Sequence, residues 1–147
     1  MATVRGCDFP DDLYYNVENN VWARLEQNGS ITVGMTIYGC ALAGEIVSCM
    51  PKKPGKVIEQ NKSVATIESG KWVGPVKAPV GGEIIAVNEE LDADPGLMNR
   101  DPYVQGWVVR MTPAQWQNEC GELISGPATA EAFEAKMAAE GFAGCGD

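Results

Sequence analysis

Apolar and polar positions alternate most clearly between residues 31 and 37. Ile31, Val33, Met35 and Ile37 alternate with Thr32, Gly34 and Thr36, the period of a half-buried strand. Asn28-Gly29 just before it is a hairpin turn signal that joins this run to Val21–Leu25. The first forty residues therefore read as strands. Pro51-Lys52-Lys53-Pro54-Gly55-Lys56 reads as a turn-rich loop whose lysines form a solvated face. Ala43-Gly44-Glu45-Ile46-Val47 is echoed by Gly81-Gly82-Glu83-Ile84-Ile85, which suits two similar sheets. Gly106–Met111 reads as a last strand. Thr112-Pro113-Ala114-Gln115 carries the signals of a helix start, with threonine as cap, proline in first position and glutamine three residues after the cap. Residues Thr129–Glu140 predict a second helix, with Phe133 and Met137 on one face and Gly141 placed to stop it. The pattern predicts one mainly β domain over residues 1–147, a helical segment over 112–141 and a mobile tail over 142–147.

Composition narrows the function. A formal net charge of −9 disfavours a nucleic-acid backbone or an anionic membrane as partner. No apolar run reaches membrane-spanning length, and the start of the chain lacks the apolar stretch of a secretory signal. Five cysteines, with no CxxC spacing, argue against a disulfide framework and for a reducing cytoplasm. Cys40 and Cys49 read as buried small hydrophobes. The chain has no histidine, so Ser-His and Cys-His nucleophile pairs and histidine-ligated metals are excluded. That leans away from catalysis.

Chemistry concentrates at Thr66-Ile67-Glu68-Ser69-Gly70-Lys71-Trp72-Val73-Gly74-Pro75, where two strand-like runs flank a turn that carries a lysine. A phosphate-binding loop would need glycine where Ala65 stands and serine or threonine where Trp72 stands. A biotin site would flank its lysine with methionines, and a Schiff-base lysine wants burial. A plain surface lysine and an attachment point remain.

Val64–Lys71 followed by Ala78-Pro79-Val80-Gly81-Gly82-Glu83 closely resembles the lipoylated hairpin of the glycine cleavage H-protein family, E-S-x-K, six residues, then A-P-x-x-G-E. The resemblance extends to Val33-Gly34-Met35-Thr36, to Leu42–Val47 and to Asn99-Arg100-Asp101-Pro102-Tyr103 through Gly106-Trp107. It implies a lipoyl-domain fold, a flattened barrel of two antiparallel sheets (a barrel-sandwich hybrid) with short C-terminal helices. It also implies lipoate in amide linkage to Lys71, within a cofactor-binding stretch of Glu68, Ser69, Gly70 and Trp72. Such a protein is a monomeric carrier, a tethered substrate of partner enzymes, and it needs a lipoate ligase or lipoyl transferase.

Two departures matter. The family pattern commonly places glutamate before its first-strand tryptophan and often aspartate four residues after the lysine; here Val21 and Pro75 stand there, and Asn20 replaces a histidine. Glu68–Pro75 is more similar to H-protein-like lipoate-binding proteins associated with sulfur oxidation beside a heterodisulfide-reductase-like complex. That resemblance implies an arm carrying sulfur or sulfur-linked electrons from sulfur donor proteins. The alternatives are an aminomethyl carrier of glycine cleavage and a non-lipoylated interaction domain. Cys145, on a glycine-flanked tail, is a candidate for thiol exchange with an oxidised arm.

Overall fold

The computed structural model describes residues 1–145. Its elements are, in order, β1 (Ala2–Val4), β2 (Cys7–Phe9), β3 (Tyr14–Asn16), β4 (Val21–Leu25), β5 (Ile31–Met35), α1 (Ile37–Ala43), β6 (Ile46–Pro51), β7 (Val57–Ile58), β8 (Ser63–Ser69), β9 (Val73–Lys77), β10 (Gly82–Val87), α2 (Glu90–Ala93), α3 (Leu97–Arg100), β11 (Val109–Pro113), α4 (Trp116–Glu119), a 3-10 turn (Cys120–Glu122) and α5 (Ala128–Glu140). All strand pairs are antiparallel. One sheet has the order β3-β4-β5-β11-β10-β7, the second is β6-β8-β9, and β1-β2 form a separate ribbon. The mainly β architecture of two sheets agrees with expectation, but the sheets do not close into a barrel. β7 is only two residues long, and β9 is an edge strand bearing Pro75, which has no N–H to continue the ladder.

The β4–β5 hairpin forms as its alternation demands, with Ala23 opposite Val33 and Leu25 opposite Ile31. The strand ends earlier than the alternation does. Thr36 accepts a hydrogen bond from Gly39 N (3.1 Å) through its side chain, an N-cap that turns Ile37–Ala43 into α1. The echo between residues 43–47 and 81–85 is structural. Ile46 and Ile84 are buried, the registers of β6 and β10 shift immediately after them, and the bulges leave Val47 and Ile85 exposed.

Three expectations are corrected. Thr112 and Pro113 do not start a helix; they finish β11, opposite Glu83 and Gly82, and the helical turn begins at Trp116. Cross-strand pairing overrides the local capping signal. Where a mobile tail was expected, Phe142 packs edge-on against Tyr38 with ring centroids 4.7 Å apart. Cys145 forms a disulfide with Cys7; Gly146 and Asp147 lie outside the described residues. The odd cysteine count thus hides one disulfide, with Cys40, Cys49 and Cys120 free. The expected α5 is present, stopped by Gly141 in the left-handed conformation (φ 67°). No helix among the described residues is long and apolar enough to cross a membrane.

The interior divides into two clusters. An aliphatic core lies between the sheets, including Val33, Ile46, Ile67, Val76, Ile84 and Met111. An aromatic cluster gathers Phe9, Tyr15, Trp22, Tyr38, Tyr103 and Phe133 with Cys7. Lys52, Lys53 and Lys56 are exposed, as the loop composition implied.

Candidate functional site

Lys71 is the middle residue of the three-residue connection, Gly70 to Trp72, between β8 and β9. Glu68 pairs with Val73, and Ser69 N donates to Trp72 O at 2.8 Å. The turn is anchored from below through Ser69, whose buried hydroxyl donates to Ala43 O at the end of α1 (2.6 Å) and accepts from Lys71 N (3.3 Å). A glycine follows Ala43 for two reasons. Gly44 has φ +89°, and a Cβ there would sit 3.0 Å from Lys71 Cε. Asn99 fixes the same backbone, donating to Gly44 O (2.9 Å) and accepting from Ile46 N (2.9 Å).

The aliphatic stem of Lys71 therefore rests in a shallow hollow of about 390 Å³ shared with Gly44, Glu45, Val47 and Ser69. Among the described residues its ammonium makes no hydrogen bond or ion pair. An exposed, unpartnered amine on a turn that does not need it can be acylated without cost to the fold. Lys77, the other lysine of the hairpin, is half-buried on β9.

Trp72 points the other way. Its ring lies over Gly74, where a Cβ would approach to 2.2 Å, and it walls a cleft of about 430 Å³ together with Leu42, Ala43, Pro75 and Lys77. The opposite wall is the β3–β4 connection, Glu18, Asn19 and Asn20. That wall is held by α5, where Lys136 Nζ donates to Val17 O (2.6 Å), Glu18 O (2.9 Å) and Asn20 Oδ1 (3.2 Å).

The structure brings Ser69, Gly70, Lys71 and Trp72 together at the turn. Glu68 is exposed one register step below, on the outer face of β8. Cys145 is not in the site: it is no free thiol, and it belongs with the aromatic cluster. Cys40 and Cys49 are buried. Burial pushes their thiols up to about 12 and about 11, which keeps them protonated and inert. Sequence reasoning missed Gly44, Asn99 and Glu18. The first two lie inside stretches carrying the family resemblance, whereas nothing local marks Glu18. Glu18 lines the cleft, while the two positions where the family pattern commonly has acids supply no carboxylate. Val21 is fully buried in the aliphatic core and Pro75 lines the cleft.

An exposed lysine on the hairpin turn of the three-stranded sheet, beside a cleft lined by both apolar and polar side chains, defines a carrier-type site, and the comparisons agree. The glycine cleavage H-protein family model matches residues 13–136. Glycine cleavage system H protein 5 of Aquifex aeolicus is 47% identical over 138 residues, covering 91% of this chain and 93% of that one. Probable glycine cleavage system H protein 2 of Saccharolobus solfataricus is 42% identical over 142 residues, covering 95% of each. Among solved structures, a glycine cleavage system H protein from Mycobacterium marinum superposes with a TM-score of 0.74 at 26% identity, covering 84% of this chain and 97% of that one. The chain belongs to the glycine cleavage H-protein family. Proteins of this family are lipoyl carriers, not catalysts, and bear lipoate covalently on a lysine. When bound, lipoate supplies a dithiolane that opens to two thiols on reduction. The residues here fit it: a free amine, an apolar bed for the lysine stem and an adjoining cleft.

Proposed function

We propose that Lys71 is the lipoyl attachment residue and that the protein works as a lipoyl carrier of glycine cleavage, presenting an aminomethyl cargo to glycine decarboxylase and aminomethyltransferase. The carrying observation is the unpartnered Lys71 amine, on a turn tied down by Ser69 and bedded on Gly44. The names of its relatives support the glycine cleavage assignment. Glu18 is among the residues lining the cleft, and a carboxylate there would compensate a cationic cargo. A lipoate ligase or lipoyl transferase installs the arm, and the reading includes a monomeric carrier in the cytoplasm.

One observation favours a second reading, in which the arm carries sulfur or sulfur-linked electrons for a heterodisulfide-reductase-like complex. The positions where the family pattern commonly puts carboxylates hold a buried Val21 and an exposed Pro75, and Lys77 adds a cation to the cleft wall. An ammonium cargo there is less well compensated than with those two acids present.

Intact mass of protein from its native host, with peptide mapping, tests attachment. Lys71→Arg keeps the charge but removes the acylable amine, so modification should vanish; lipoate mapped to Lys77 would refute the assignment. Complementation of a glycine-cleavage H-protein deletion by the lipoylated chain then decides the cargo. Growth supports the first reading. Failure, together with a sulfur adduct on the Lys71 peptide from a host sulfur donor, supports the second. A chain never modified in its host is an interaction domain.

A further inference from the structure

The end of the chain is fitted to the first hairpin. Arg5 and Gly6, at φ 50° and 81°, turn β1 into β2. The tail lies across this turn: Cys145 N donates to Arg5 O (2.9 Å), and Arg5 Nη1 donates to Phe142 O (2.6 Å). Position 144 has to be glycine, since a Cβ there would stand 2.7 Å from Arg5 O. The Cys7–Cys145 disulfide closes the fit. Cys7 is fully buried in it, whereas Cys145 is only half-buried. Behind this seal the last turns of α5 touch both walls of the cleft beside Lys71. Lys136 holds residues 17, 18 and 20 of one wall. Glu140 accepts a hydrogen bond from the hydroxyl of Tyr38, on the α1 helix whose Gly39, Leu42 and Ala43 belong to the other. Phe142 covers the Tyr38 ring.

We infer that Cys7–Cys145 is a thiol–disulfide exchange site, opened at the Cys145 sulfur by a vicinal dithiol, and that its opening loosens both walls of the cleft. The inference rests on the cytoplasmic part of the proposed function, because a disulfide there is characteristically transient; it needs no attachment at Lys71. Access selects the sulfur that is attacked. One thiolate of the dithiol bonds to Cys145 Sγ, the S–S bond breaks, and Cys7 leaves with the bonding pair and takes a proton. The second thiolate then displaces Cys145 from the mixed disulfide, and Cys145 takes the other proton. Two electrons and two protons thus pass to the two cysteines from the dithiol, which ends as a disulfide. Arg5 O stands 3.9 Å from Cys7 Sγ and would accept from the freed thiol. Once opened, the tail keeps its Arg5 bonds and Phe142 packing but loses the covalent tie that makes their opening costly. The end of α5 then opens more often, and its holds on Tyr38 and on residues 17, 18 and 20 open with it.

The test uses the full, oxidised chain carrying Cys120→Ser, which removes the half-buried free thiol. Limiting glutathione, a monothiol, should stop at a mixed disulfide, and peptide mapping should place it on Cys145 with Cys7 free to be alkylated. An adduct on Cys7 overturns the assigned point of attack. Dithiothreitol should open the bond without denaturant, read by alkylation and intact mass. Hydrogen exchange at the amides of residues 17–20 and 39–43 should then quicken by about tenfold or more, with those of β8 unchanged. Cys145→Ser should exchange at the reduced rate in both buffers, which separates loss of the bond from any other action of the reductant. The oxidised and reduced wild-type cysteine pair makes the same comparison if that variant misfolds. A bond that opens only in denaturant, or equal exchange in the two redox states, overturns the inference and leaves the Lys71 assignment standing.

Discussion

The two halves of the interior are built on different terms. Between the sheets the core is aliphatic, from Val21 to Leu123, and holds no buried aromatic ring. At the chain ends the buried cluster is dominated by rings. Phe133 of α5 stacks on Phe9 with centroids 4.0 Å apart and meets Tyr15 edge-on at 5.6 Å. Sheet neighbours such as β4 and β5, or β8 and β9, are joined by short connections, so their pairing costs little chain entropy. The terminal cluster joins β2 to α5 across most of the chain and costs more to assemble. Large rings, a disulfide whose partners stand 138 positions apart in sequence and Lys136 hold it there. The difference teaches a division of labour. The sheet core carries the Lys71 turn, and the terminal cluster braces the far wall of its cleft.

Removing Phe133 is the strongest way to break that division. Phe133→Ala leaves a cavity among Phe9, Tyr15 and Tyr38 and should cost about 3–5 kcal/mol in urea unfolding, whereas Ile67→Val in the sheet core should cost about 0.5–1.5 kcal/mol. Cys145→Ser comes next. It should cost about 2–4 kcal/mol under oxidising conditions and nothing once wild type is reduced; equal stability in both buffers would show that the bond contributes nothing.

Alkaline pH separates the two regions by chemistry. Burial raises Cys40 and Cys49 from an ordinary 9.0, so the folded state holds their protons more tightly than the unfolded state does. Their contribution is complete below pH 9.0 and fades as pH rises through about 11 and about 12. The expected loss is on the order of 1 kcal/mol per thiol per pH unit above that onset. Burial also raises the phenols of Tyr15 and Tyr103 in the terminal cluster, from an ordinary 10.0, so their limb begins later. Denaturation midpoints against pH should show the earlier onset disappear in a Cys40→Ala, Cys49→Ala protein. Lys136→Met gives the smallest expected effect. Loss of its contacts to residues 17, 18 and 20 should cost about 1 kcal/mol or less. Backbone amides 17–20 should exchange faster while the initial rate of Lys71 acylation stays unchanged.

Much of this was legible in the chain. The 31–35 alternation and Asn28-Gly29 specify the β4–β5 hairpin, and Gly141 ends α5. The glycine-rich turn exposes Lys71, since each rests on neighbours a few residues apart. The site was legible at its lysine and illegible at its supports. Asn99 reaches Gly44 from 55 residues away, and Glu18 enters the cleft only because the β3–β4 connection folds against α1 and is held by α5.

By itself, then, the sequence determined the strand periods, the turn that lifts Lys71 and the helix at the end of the chain, because these follow from local sterics and side-chain periodicity. Tertiary structure alone decided four things. Thr112 and Pro113 extend a strand because Glu83 and Gly82 lie opposite. Cys7 meets Cys145 because aromatic packing brings the two chain ends together. The sheets stay open because their edges end in a two-residue strand and a proline-bearing one. The hairpin lysine lies over Gly44 because the bonds of Ser69 and Asn99 converge on one short stretch of backbone.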